Sequence, residues 1–296
     1  MKKWTPRGSA IGYYYGCQMR ALFDRAFAED PALFDSDAHA AVEAKKGSSG
    51  YADLGTVIHY DAQTKLKAEF PHGNHAPNVV QWANATSVFK GNQDACKMAV
   101  QKASDHLAKV IGPDPDGRNW LAEVSVKRPW VTGHIDLLSS DAVELVDIKT
   151  TSKPPYYSHV PPSHVLQTLA YVQALSEQGL HVKKVRIVYI ASQSVDWYMD
   201  CPFDPCTPDM MQMREDLVAF GLRLKSPAFL KPGGAVPNIG DACENWCPYT
   251  SLCRDKYAVK KGDQKPVVPP PQAVKTLNPF GFTPGTPART LANHKE

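Results

Sequence analysis

Two aspartates and a lysine are the residues most clearly spaced for chemistry. Asp136 ends Gly133-His-Ile-Asp136, and Asp147 and Lys149 stand two apart in Val146-Asp-Ile-Lys149. Ser139, Ser140 and Asp141 supply turn residues between them, while Ile135, Leu137, Val146 and Ile148 alternate with polar positions. The pattern predicts two β-strands joined by a tight turn. With an even-numbered turn, alternation puts Asp136, Asp147 and Lys149 on one face, and Ile135, Leu137, Val146 and Ile148 on the other. Two carboxylates meeting across a strand pair repel. A cation between them removes the penalty, and carboxylate oxygens suit Mg²⁺ or Mn²⁺. Asp-x-Lys alone also fits a solvent-facing hairpin in which Lys149 neutralises Asp147.

The elements that must position these groups follow from periodicity. A helix capped by Ser9 is expected through Ile11, Tyr14, Met19, Leu22, Phe23 and Phe27, with Cys17 inside it. A second, from Asp53 to Phe70, has Leu54, Val57, Ile58, Ala62 and Leu66 as its apolar stripe and carries Gly55 and His59. Residues 71–94 read as polar and irregular, and Ala95 to Ile111 as helix. Leu121 to Arg128 alternates like a strand and includes Glu123. Beyond Lys149, the Pro154-Pro155 and Pro161-Pro162 pairs make a loop. Ser163 is placed to cap a helix through Val165, Leu169, Val172 and Leu175 that ends at Gly179, with Gln167 and Tyr171 on one face. Then come a strand from Val182 to Ala191, an edge strand around Trp197, and a helix from Pro208 to Lys225.

Gly-x-x-Asp, a turn, then Asp-x-Lys on a hydrophobic strand resembles the PD-(D/E)xK nuclease superfamily, in particular its RecB-type and CRISPR-adaptation members. Gly55-x-x-x-His59 upstream and Gln167-x-x-x-Tyr171 downstream are similar to further RecB-type signatures. Glu123 matches a Glu often found before the first Asp, and it equally fits an exposed strand position. The resemblance implies an α/β, restriction-endonuclease-like core with a mixed central β-sheet flanked by helices. It implies that His59, Asp136, Asp147 and the backbone carbonyl of Ile148 hold Mg²⁺ or Mn²⁺. Lys149 would serve the attacking water, and Gln167 and Tyr171 would position the strand. The implied activity is hydrolysis of DNA, as a single-strand exonuclease in recombination, repair or phage DNA processing. DNA, single-stranded or at its ends, and a recombination or single-strand-binding protein are the implied partners. A structure-selective or site-specific endonuclease is the alternative within enzymes. A non-catalytic DNA-binding subunit is the alternative outside them, and the intact Asp136, Asp147 and Lys149 argue against it.

Cys243, Cys247 and Cys253 fall within one short stretch, and three thiols so close point to metal rather than packing. Cys17 is the candidate fourth ligand. The set resembles the split four-cysteine iron–sulfur arrangement of CRISPR-adaptation and AddB-type nucleases, which implies a 4Fe–4S cluster. The three-residue gap after Cys243, and Gln18 rather than Pro after Cys17, depart from that pattern. Cys201 and Cys206 are rival ligands, and structural Zn²⁺ is the rival metal.

At 296 residues, with 43% hydrophobic and 21% charged residues, the chain can bury a sizeable core. A net charge of +3 is too small to argue for nucleic acid by itself. Lys127-Arg128 and Lys183-Lys184-x-Arg186 read either as a phosphate track or as solvated surface. Neither a secretory signal nor a membrane-spanning run is recognisable, so a cytoplasmic protein with reduced thiols is expected. Residues 1–258 are expected to form one nuclease domain that includes both cysteine elements, and 259–296 a Pro-rich flexible tail.

Overall fold

The strand Lys184–Ala191 is buried at every position after its first, which marks a strand covered on both faces. In this computed structural model, which describes residues 4–30, 32, 50–73, 75–113, 119–151, 160–192, 198–230, 235 and 249, it belongs to a five-stranded sheet. The strands are β1 (Trp120–Lys127), β2 (Thr132–Ser139), β3 (Glu144–Thr151), β4 (Lys184–Ala191) and β5 (Tyr198–Phe203), side by side in chain order. β1 to β3 form an antiparallel meander, β4 runs parallel to β3, and β5 returns antiparallel at the edge. The described helices are α1 (Gly8–Gly16), α2 (Gln18–Glu29), α3 (Gly50–Lys65), α4 (Val79–Ser87), α5 (Gln93–Ile111), α6 (Pro162–Ser176) and α7 (Pro208–Lys225).

A parallel pair needs a crossover, and α6 provides it between β3 and β4. On its side of the sheet Leu138, Leu145, Ile187 and Tyr189 pack with Leu169 and Val172 of α6, Ile11 of α1 and Leu217 of α7. On the other side Leu137, Val146, Ile148 and Val188 pack with Leu54 and Ile58 of α3 and Leu107 of α5. Each such side chain contributes about 1.5–3 kcal/mol by leaving water. The sheet is therefore clamped between two helical layers.

Several local expectations change. The N-terminal helix is two helices, broken at Cys17, whose backbone is extended (φ −146, ψ 103). Ser9 is not its cap: Arg7 bridges Thr132 of β2, so the helix starts directly at Gly8. Ser163 is not a cap either, because Pro161 precedes a helix that opens on Pro162, where a missing N–H does no harm. The end near Gly179 holds: with φ +81 there, Leu180 N–H reaches back to the Leu175 carbonyl at 3.1 Å. α3 stops at Lys65 because Glu69 is recruited to bridge Leu121 of β1. The stretch read as irregular contains α4, opened by a capping box in which Asn78 and Gln81 bond each other's N–H at 3.0 Å. Exposed Val79 and Val80 blurred its apolar stripe. Trp197 and residues 259–296 lie outside the described residues. Arg186 lines no surface track: it is buried, bonding the Val110 and Ile111 carbonyls that end α5 and pairing with Asp200 and Glu144.

Candidate active site

The alternation expected across the hairpin breaks once. On β2, Leu137 packs on the α3 side and Ile135 on the α6 side; on β1, Ala122 and Val124 divide the same way. Residues two apart on a regular strand share a face. Both strands therefore switch faces at the residues between, Glu123 and Asp136, which the register places opposite each other. Glu123 has φ +53, in the left-handed region, and the ladder is interrupted there with no residue inserted in either strand. The expectation that Ile135 shares a face with Leu137 is corrected accordingly.

The switch turns the Asp136 carboxylate into the seam between β2 and β3. The described ladder between these strands consists of Leu137–Val146 and Leu138–Leu145. Beyond it, Asp136 Oδ2 accepts the Ile148 N–H at 2.6 Å. Gln63 secures this interruption from α3: its Nε2 donates to Glu123 Oε1 at 3.0 Å and to the Asp136 carbonyl at 2.9 Å. Sequence reasoning missed Gln63, though it stands one turn beyond His59 on the same helix face.

His59 looks onto the same seam, with Nδ1 3.9 Å from Asp136 Oδ1 and a buried Nε2 that has no hydrogen-bond partner. Burial first, and the Lys149 ammonium second, pull its pKa down to about 4, so at neutral pH the imidazole is uncharged. Gly55 explains its placement. A Cβ there would run into the Thr150 side chain, so only glycine lets α3 lie this close to β3.

Asp147 and Lys149 point to the α6 side. Asp147 Oδ1 accepts from Lys149 Nζ at 3.0 Å and from Gln167 Nε2 at 3.1 Å, while Gln167 Oε1 accepts from Lys149 at 3.2 Å. Lys149 Nζ also stands 2.8 Å from Asp147 Oδ2, but off its hydrogen-bonding direction, so that buried oxygen has an ion-pair neighbour and no hydrogen bond. Tyr171 bonds the Gln167 side chain and the His134 backbone, and its ring fills the space beside Gly133 where a Cβ would sit. His164, also missed from sequence, opens α6 beside Lys149, with Nδ1 2.6 Å from the Tyr189 hydroxyl.

The carboxylates are held short of their usual acidity. Burial is the largest cause at both Asp136 and Asp147, pushing each up to about 6, with Glu123 adding at Asp136 and Asp136 adding at Asp147. Lys149 opposes the rise at both, and its own pKa stays high because the two carboxylates outweigh its burial. The site thus favours additional positive charge. A neutral imidazole whose buried nitrogen has no partner and a buried carboxylate oxygen without a hydrogen bond fit a divalent cation. His59, Asp136 and Asp147 are the side chains able to hold it. Among the described residues no three such side chains stand already converged as a ligand set. Lys149 instead acts as counter-ion to Asp147. A cavity of about 480 Å³, lined by His59, Gln63, Glu123 and Asp136 with His75 and Gln81, opens the seam on the α3 side.

Cys17 sits at the break between α1 and α2, packed against Phe23 and Tyr249. Cys243, Cys247 and Cys253 lie outside the described residues. Tyr249, between the last two in sequence, is buried; it stacks on Phe23 at 5.1 Å and donates its hydroxyl to Asp24. Cys201 is buried, with burial and then Asp200 pushing its thiol up to about 12, and Cys206 is exposed.

A mixed sheet flanked by helices, with paired carboxylates and a lysine on its central strands, defines an α/β protein of restriction-endonuclease-like architecture. The model of the PD-(D/E)XK nuclease superfamily matches residues 13–254, and the chain belongs to that superfamily. No curated protein matches the chain. Among solved structures, the crystal structure of SSO0001 aligns over 67% of this chain and 94% of that one, at 15% identity and a TM-score of 0.31, a likeness too slight to inform function. No helix among the described residues is long and apolar enough to cross a membrane.

Proposed function

We propose that the protein is a Mg²⁺- or Mn²⁺-dependent deoxyribonuclease that acts as a single-strand exonuclease on DNA ends in recombination, repair or phage DNA processing. The observation that carries hydrolysis is the Asp136–Asp147 carboxylate pair, with pKa values raised to about 6 chiefly by burial and with one ammonium, Lys149, to serve it. His59, Asp136, Asp147 and the Ile148 carbonyl would hold the cation, which when bound polarises the phosphodiester and acidifies water. The protein's own groups do the rest. Gln167 keeps Asp147 and Lys149 in fixed relation by bonding both. Lys149, paired with Asp147 in the metal-free site, would orient the attacking water and stabilise developing charge on the phosphate. Tyr171 holds Gln167 in place and, with it, the strand.

For the cysteines we propose a 4Fe–4S cluster on Cys17, Cys243, Cys247 and Cys253, with structural Zn²⁺ as the alternative. Support comes from Tyr249, which with Phe23 forms the apolar cluster that Cys17 packs against. A clamp of this kind makes residues 1–258 one folding unit. A cytoplasmic setting suits reduced thiols, and a single-strand-binding or recombination protein is the proposed partner.

Digestion of end-labelled linear and covalently closed DNA with Mg²⁺ or Mn²⁺ tests the activity. Ladders growing from one end support the exonuclease. Cutting of closed circles supports the endonuclease reading instead. If neither substrate is cut with either ion, the nuclease proposal fails.

A further inference from the structure

Tyr13 has no part in the hydrolytic network, yet it stands near Lys149 and is 44% exposed, while its neighbour Tyr14 is 3% exposed. Two close approaches place it there. Gly12 lies so near Ser163 that a Cβ would overlap that residue's backbone, and Gly8 lies against the Tyr171 ring. α1 is thereby laid along α6, the helix that presents Gln167 and Tyr171 to Asp147 and Lys149. Tyr13 is close enough to Lys149 to contribute to its electrostatic surroundings.

Arg20, in the first turn of α2, lays its guanidinium over the Tyr13 ring, 4.8 Å from the centroid. In an unbroken helix, residues seven apart are separated by about 10 Å of rise. The extended backbone at Cys17 folds α2 back and brings the pair together. Among the described residues Arg20 has no ion pair, and its buried Nε has no hydrogen-bond acceptor. One face of the ring is therefore backed by a cation, while nearly half of the Tyr13 surface remains exposed to meet a ligand. An exposed aromatic ring beside a cation is what sequence-tolerant binding of single strands uses: every base offers a π-face, and every linkage an anion.

We propose that Tyr13, backed by Arg20, is a positioning residue that stacks on a nucleobase of the strand being processed, with Arg20 meeting the adjoining phosphate. The proposal rests on the nuclease reading above and adds a reason for preferring unpaired DNA, since a base inside a duplex has no free face.

The test is anisotropy of a labelled oligothymidylate titrated with the full chain in EDTA, beside the same strand carrying abasic residues. Tyr13→Ala should weaken oligothymidylate binding about 5- to 100-fold. Tyr13→Phe should bind within about twofold of wild type, since the ring alone stacks. On the abasic strand Tyr13→Ala should change nothing, because no base remains to stack. Arg20→Gln should lower the salt dependence by about one phosphate contact, a slope change of about 0.7. Equal losses on both strands would assign Tyr13 a purely structural role and overturn the proposal, as would wild-type binding by Tyr13→Ala. If wild type binds no strand at all, the nuclease reading falls as well, so the two failures are distinct.

Discussion

Asp136→Asn isolates the electrostatic strain in the site. Asparagine keeps the size of the side chain and an oxygen for the Ile148 N–H, so the seam between β2 and β3 can persist while the charge is removed. In the fold the Asp136 carboxyl titrates at about 6 against an ordinary 3.8, chiefly through burial and further through Glu123, with Lys149 only partly offsetting. The side chain is 18% exposed, so solvent screening discounts little. At about 1.4 kcal/mol for each pH unit, the gap corresponds to about 3 kcal/mol. The folded carboxyl binds its proton more tightly than the unfolded one. Its favourable contribution is therefore complete below about pH 3.8 and is lost as pH rises through about 6. Part of the relief is returned because Lys149 loses an anionic neighbour. Metal-free Asp136→Asn should thus be more stable than wild type above pH 7 by about 1–3 kcal/mol, or roughly 2–8 °C in Tm, and equal to it below pH 4. Thermal unfolding followed by circular dichroism in EDTA from pH 4 to 8 measures this. Mn²⁺ should then raise the wild-type Tm and leave the variant nearly unmoved, by linkage to a site lacking one carboxylate. A variant less stable than wild type at pH 8 in EDTA, or a difference independent of pH, refutes the reasoning.

Lys149→Ala should slow hydrolysis about 10²- to 10⁴-fold with little change in DNA binding. Lys149→Arg should not restore the rate, because a guanidinium stays charged and has another shape; a wild-type rate in the arginine variant would leave only a charge requirement. Gly133→Ala drives a methyl group into Tyr171 and should lower stability by about 1–3 kcal/mol, with denaturant unfolding as the measure; an unchanged midpoint would mean that the ring yields freely. For the cysteines, anaerobically purified protein should show visible absorption that Cys17→Ser and Cys247→Ser both abolish and Cys96→Ser spares. Colourless protein with stoichiometric zinc would replace the cluster but keep the clamp, and loss through Cys201→Ser alone would end the split arrangement.

The sequence determined what is local. A period of two fixed β3 and put Asp147 and Lys149 on one side of it, and the four-residue spacing put Gln167 and Tyr171 on one face of α6. The helix over Pro208–Lys225 carried its own start, so its bounds were legible to the residue. What the sequence could not carry is non-local. Whether Ile135 shares a face with Leu137 depends on an interruption of the ladder at Glu123, a residue of the neighbouring strand with its own backbone in a left-handed conformation. Gln63 matters only because α3 crosses that interruption, and Gly55 only because Thr150 lies beneath it. The break at Cys17 left no periodic trace, since the apolar residues on both sides fit one continuous helix. The depressed basicity of His59 and the weakened acidity of Asp136 and Asp147 come from burial, which sums over everything that packs on a group. Residue types and spacing thus supplied the reagents, and the strand seam with its desolvation, set by distant parts of the chain, decided their charges and their geometry.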